Sequence, residues 1–281
     1  MIRLVAVALL AFGAFATPAL ADAPPKIFVA STGDDANSGA RTAPKRSFQT
    51  AHDAVAAGGQ IVVLDTAGYG PLNISKSVGI IVPPGVNGFV TQTKLASNGI
   101  FIDAGSDSVV TLRGLVIEGP GNSGNAILAD SVGTLVVEDT TVRNFSDGIV
   151  LDPKMSARLI VRGGSIRNTH NGIAVADSAN SVRIDALVAD VELTANHAAF
   201  FAWQVNQGSK LYVVSTRNTI SGNEIAFQNF GGTPEMVVDG STIFGNGTVF
   251  QMSGGSFFTR GNNTIYNNTN LGPTPTPFSA Q

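Results

Sequence analysis

The chain has 281 residues, of which 13% are charged, with 32 glycines and no cysteine. That charge is about half the share usual in soluble domains. Without cysteine, thiol catalysis, thiolate metal centres and disulfide stapling are all excluded. Seventeen basic against 20 acidic residues, with no basic block, leave nucleic-acid binding without electrostatic support.

Residues 1–21 read as a secretory signal peptide. Arg3 supplies the positive start, Leu4 to Phe15 is apolar, and Ala19-Leu20-Ala21 is a small-residue cleavage site before Asp22. The apolar run falls short of the ~20 residues of a membrane helix. After cleavage no stable membrane insertion is expected, and the mature chain is exported to the periplasm or the cell exterior. Losing Arg3 takes the basic count from 17 to 16 against 20 acidic residues, a net charge of −4.

Residues 22–60 form an entry segment. Asp34, Asp35, Asn37 and Gly39 make a short acidic loop with partial calcium-loop character but no closing glutamate, and an Asx turn is the simpler reading. Phe48 to Ala57 predicts a short helix capped by Thr50 and ended by Gly58-Gly59. Such a helix would cover the open end of a sheet stack, where unpaired strand edges invite aggregation.

From residue 61 to 271 one pattern recurs. Ile61-Val62-Val63-Leu64, Val78 to Val82 and Ile100-Phe101-Ile102 look like the first strands. A regular series then follows, anchored on Ile117, Val142, Ile166, Leu193, Ile220, Ile243 and Ile265, at intervals of 25, 24, 27, 27, 23 and 22 residues. Seven residues after the anchor stand Ile149, Ile173, Phe200, Phe227 and Phe250; after Ile117 the partner is Ile127, displaced by a three-residue insertion. Polar turns lie between. Asn144 and Asn168 come two residues after their anchors, and Asn196, Asn223, Asn246 and Asn268 come three after theirs, which predicts an Asn ladder that shifts register by one.

Short runs of alternating apolar residues can bury one face only by stacking on similar runs, at ~4.8 Å per coil. The period and the turn chemistry therefore predict an all-β chain, a right-handed single-stranded parallel β-helix with a short N-terminal capping helix. Leucine-rich, propeller and helical repeats do not fit the spacing or composition. The Pro-rich segment 272–281 cannot be a central strand and reads as a tail or partial cover.

Ile27 to Gly39, the helix at Phe48 to Ala57, Gln60 to Leu64 and the closing Gly261 to Asn268 together resemble bacterial right-handed parallel β-helix repeat proteins of the pectin-lyase-like superfamily. The resemblance implies the fold. It does not imply one activity, because that superfamily holds lyases, hydrolases, epimerases and adhesins. The chain departs from it in lacking a cysteine pair around Asn37 to Phe48. The Gly-His-Gly of the hydrolases and the acidic calcium set of the lyases are also missing, so no catalytic residue is carried over.

Parallel coils align residues into rows. Asp130, Asp152, Ala176, Trp203 and Phe230 stand three residues after the partner position, with Asp177 one residue off. Counted from buried Phe200 and Phe227, Trp203 and Phe230 point outward. That suggests a carbohydrate-binding strip in which aromatic faces stack on sugar rings and carboxylates accept hydroxyl hydrogen bonds. Asp130 and Asp152 would lie ~5 Å apart, the spacing of a retaining glycosidase pair; solvated turn carboxylates are the plainer alternative. Two charge rows flank the anchor: Arg113, Glu138, Arg162 before it and Glu118, Arg143, Arg167 after it. Arg143 and Arg167 could bind a uronate carboxylate, although alternating signs suit cross-strand ion pairs. His52, His170 and His197 are scattered in sequence, and no metal or cofactor is expected.

The expected function is an exported, non-catalytic β-helix that binds carbohydrate or a cell-surface polymer. A polysaccharide lyase or glycoside hydrolase acting on uronate-containing glycans is the first alternative, and a structural or adhesive surface module the second. Short turns after each anchor argue against an enzyme's cleft.

Overall fold

A computed structural model describes residues 23–121 and 123–278; the signal-peptide segment lies outside the described residues. Three parallel sheets wrap one core. In coil order, the first face has eleven strands, the second nine and the third eight. One coil shows the plan: Ala157–Arg162 lies on the first face, Ser165–Arg167 on the second and Asn171–Ala176 on the third. Each strand re-enters its sheet beside the equivalent strand of the coil before, the parallel crossover that L-residues wind right-handed.

The predicted rows are those of the structure. Ile166 pairs with Val142 and Leu193, and Ile173 with Ile149 and Phe200. The insertion before Ile127 does not disturb its place between Ile100 and Ile149, and a bulge after Ala129 shifts the register by one, pairing Ser131 with Asp103. Strands alternate as a one-sided sheet requires: in Ala157–Arg162, Leu159 and Val161 are buried while Arg158 and Arg162 are exposed. Phe200, Phe227 and Phe250 stack inside, with centroids 5.0 and 5.6 Å apart.

The asparagines do not shift register; they fill two different rows. Two residues after each anchor from Val142 onward the backbone is left-handed, at Asn144, Asn168, Ala195, Gly222, Gly245 and Asn267, with φ between 54° and 65°. Three residues after the anchor the side chain turns inward, and there stand Phe145, Thr169, Asn196, Asn223, Asn246 and Asn268. The upstream asparagines serve turn geometry. The downstream ones form a buried ladder that Thr169 terminates, donating its hydroxyl to Asn196 Oδ1 at 2.7 Å.

The N-terminal helix spans Phe48–Ala54, shorter than predicted, and Ser47 rather than Thr50 is its cap. Thr50 instead donates its hydroxyl to the Asp35 carboxylate, which also receives the backbone N–H groups of Arg46 and Ser47. Chain continuation in extended backbone at Val55, ahead of Gly58, ends the helix. Phe48, Ala51 and His52 are buried against the first coil. The helix also covers the outermost strand of the third face, Leu72–Ile74. Gln49 Oε1 accepts the Asn73 N–H at 2.8 Å, and His52 Nε2 accepts that of Ser75 at 3.2 Å. At the other end Thr276–Pro277 adds a two-residue edge strand to Phe258–Thr259. Among the described residues no helix is long and apolar enough to cross a membrane.

Candidate functional site

The outer surface of the third face carries the predicted strip. Asp130 and Asp152 follow the paired Ala129 and Leu151, and the row continues through Ala176, Trp203 and Phe230 to Ser253. Trp203 and Phe230 are 42% and 47% exposed, large values for aromatic residues in a sheet. Their centroids lie 6.4 Å apart at 76°, and Phe201 sits 6.3 Å from Trp203.

A second outward row lies two residues nearer the strand starts: Phe101, Leu128, Val150, Ala174, Phe201, then Gln228 and Gln251. It makes an apolar floor with aromatic ends. Polar rows flank it. On one side Asn125, Asp147 and Asn171 are joined to one another's coils, Asn171 donating to Asp147 at 2.6 Å and Asn125 to Asn98 at 2.9 Å. On the other stand Asp103, Asp130 and Asp152. Sugar rings suit such a surface, offering apolar C–H faces to the floor and hydroxyls to the edges.

Asp130 and Asp152 each have a separate partner. Lys154 Nζ reaches Asp130 at 3.1 Å, and Ser178 donates to Asp152 at 2.7 Å. Asp177 stands apart from the strip: 3% exposed, it accepts the backbone N–H groups of Val205 and Asn206 and so fixes the next coil's loop. Arg143 and Arg167 neighbour one another as expected, but on the second face, across the turn from the aromatics. Arg143 binds Glu118 at 3.0 Å, and Arg113 binds Glu138 at 2.6 Å, so both charge rows contain cross-strand ion pairs. Arg167 is exposed and forms no ion pair among the described residues. The seven candidates therefore separate into a strip of four (Asp130, Asp152, Trp203, Phe230), an arginine pair and a loop-forming carboxylate.

The acidic entry loop is an Asx turn built round a lysine. Asp34 Oδ1 accepts the Ala36 N–H at 2.9 Å. Lys45, only 8% exposed, donates its ammonium to the carbonyls of Asp35 and Asn37 at 3.0 and 2.8 Å. Burial pushes the Asp35 carboxyl up, but hydrogen bonds from Thr50, Ser47 and Arg46 outweigh it and hold the group below the usual carboxylate range. Asp65 is held low in the same way by Ser31 and Tyr69, and the Tyr69 phenol is pushed up by burial and by that carboxylate.

Two features escape a reading by anchor and partner alone. His170 and His197 stack at 4.3 Å and 7°, with His197 Nδ1 2.7 Å from Glu224. All three stand four residues after their anchors, so extending the row analysis by one position would have found them. The second feature is a cleft of about 700 Å3 at the N-terminal end of the third face, lined by Gln49, Asn73, Gln92, Lys94, Asn98 and Phe101. Its wall is the segment between Thr91 and Ile100, which makes the same passage that later coils complete in a few residues. The turns are therefore not uniformly short, as the regular coils suggested.

No family model matches the chain, and no curated protein matches it. Solved structures are similar to it. XylC in complex with xylose superposes with a TM-score of 0.55 at 9% identity, over 86% of this chain and 75% of that one. An alginate lyase from Paenibacillus sp. str. FPU-7 gives 0.47 at 13% identity over 83% and 94%, and a rhamnogalacturonan lyase 0.35 at 10% over 83% and 75%. At 9% identity the likeness to XylC is one of architecture alone, and the sheets of this chain are those of a right-handed parallel β-helix.

Proposed function

We propose that this protein is an exported carbohydrate-binding β-helix whose third face holds a polysaccharide without cleaving it. The observation that carries the reading is the in-register exposure of Trp203 and Phe230 beside an apolar floor edged by carboxylates and amides. Xylose in the complex of the similarly folded XylC is consistent with a sugar ligand. The binding reading is supported by the contacts of Asp130 with Lys154 and of Asp152 with Ser178, which give each carboxylate a separate partner.

Trp203 is the only tryptophan of the chain, so its fluorescence reports on the strip alone. Titration of the mature protein with xylan, glucan, mannan, alginate and polygalacturonate is expected to shift or quench that emission with at least one polymer. Release of reducing ends or unsaturated products by the same samples would replace binding with cleavage. Silence with every polymer would remove the carbohydrate reading.

A further inference from the structure

We infer that the ligand is a neutral polysaccharide lying parallel to the solenoid axis, with one end seated in the cleft beside Phe101. The inference rests on the binding reading above and extends it to ligand class, direction and a second contact point. Phe101 and Phe201 occupy the same outward row, with Leu128, Val150 and Ala174 between them. Four coil steps of ~4.8 Å separate the two rings by ~19 Å along the axis. The floor joining them is aliphatic and unbroken, so an extended chain can follow it from one aromatic end to the other.

The floor stops at the cleft. Leu72–Ile74 is the outermost strand of the third face, and beyond it Gln49 of the helix holds the Asn73 backbone. The side wall is held in place before any ligand arrives. Gln92, 6% exposed, donates to the Asn98 carbonyl at 2.8 Å and accepts the Lys94 N–H at 2.9 Å. Asn98 in turn accepts from Asn125 of the floor's polar edge. A preformed hollow costs little ordering on binding.

Charge selects the ligand class. Asp103, Asp130 and Asp152 follow the paired Ile102, Ala129 and Leu151 on three consecutive coils, with Asp130 in the bulge that pairs Asp103 with Ser131, and Lys154 answers only Asp130. A polymer bearing a carboxylate on every sugar would set like charges beside this row, which costs affinity. Neutral hydroxyls instead donate to it.

The test uses the Trp203 signal with neutral β-1,4-linked xylo- and cello-oligosaccharides of increasing length, and with oligomers of alginate and polygalacturonate. Affinity for the neutral series should rise with length until the ligand covers the distance from Trp203 to Phe101, and then level off. Phe101→Ala should remove about tenfold of that length-dependent gain while leaving the shortest ligands unchanged. Thr93→Met, which narrows the exposed cleft mouth without emptying any packed position and keeps Trp203 the only tryptophan, should do the same. If quenching occurs but neither length nor either variant matters, the cleft is no part of the site and the strip alone stands. Equal or tighter binding of uronate oligomers overturns the neutral class. If no oligosaccharide perturbs Trp203, the binding reading itself falls, and this inference with it.

Discussion

Asn223 donates its side-chain Nδ2 to Asn246 Oδ1 at 2.9 Å, one coil on, and to the Leu193 carbonyl behind it at 3.1 Å. Its own Oδ1 accepts both the backbone and side-chain N–H of Asn196. Each rung thus satisfies buried polar groups of three coils. Asn223→Ala leaves those groups dry and unpartnered, a loss of about 2–4 kcal/mol. Asn144→Gly should be close to neutral, because Asn144 supplies a left-handed backbone (φ 64°) that glycine adopts freely. Urea denaturation of the two variants checks the contrast. Equal losses would mean that the two asparagine rows do the same work.

Trp203→Ala and Phe230→Ala separate function from stability. Both rings are nearly half exposed, so truncation should move the melting temperature by no more than about 2 °C. Each should weaken glycan binding about tenfold, or ~1.4 kcal/mol, the scale of one aromatic stacking contact. Isothermal titration calorimetry provides the affinities once the tryptophan reporter is gone. A large drop in melting temperature would instead make the aromatics part of the packing.

Phe227 is the internal counterpart. It is fully buried and stacked between Phe200 and Phe250. Phe227→Ala should cost about 3–5 kcal/mol through lost burial and the cavity left in a rigid stack. Phe227→Leu should recover more than half of that in the same denaturation experiment.

The architecture was legible because a solenoid writes itself into the sequence at a fixed period: Ile166 announces Val142 and Leu193 by spacing alone, and the structure pairs them. The exposed strip was legible for the same reason, once Phe200 and Phe227 fixed which side faces in. What the period could not convey was the role of two adjacent turn positions, since asparagine suits both a left-handed backbone and a buried ladder. Nor could it place Lys45, whose ammonium meets the entry loop through contacts eight and ten residues away with no repeat to mark them. The cleft at Phe101 was hidden because it is an irregularity. Gln92 and Asn98 lie where the period breaks down, and only their three-dimensional partners show that the break forms a wall.

Lys45 gives the acidic loop a definite behaviour. With its ammonium bound to the Asp35 and Asn37 carbonyls, added calcium should leave the melting temperature unchanged within error, and so should chelation by EDTA. Lys45→Ala should cost about 1–3 kcal/mol, because two carbonyls of a tight turn lose a charged donor. Stabilisation of the unaltered protein by millimolar calcium would show that the loop opens to take the ion.

The capping helix should be the acid-labile part of the fold. Asp35 and Asp65 are carboxylates pushed up by burial yet held lower still by their hydrogen bonds. Below their unfolded value of ~3.9 the unfolded chain takes up protons that the folded chain resists. Their contribution is therefore fully present above that value and is lost as pH falls towards the depressed folded value. The site is exposed and solvent-screened, so the Asp35 share is modest. Asp35→Asn should cost about 1 kcal/mol at neutral pH, on the scale of a helix cap, and should flatten the fall in stability below pH ~4. Hydrogen exchange localises the effect. Amides of Phe48–Ala54 should lose protection on acidification before those of the central coils, and in the variant they should already exchange faster at neutral pH. Simultaneous loss across helix and coils in the unaltered protein would show that the cap does not open on its own.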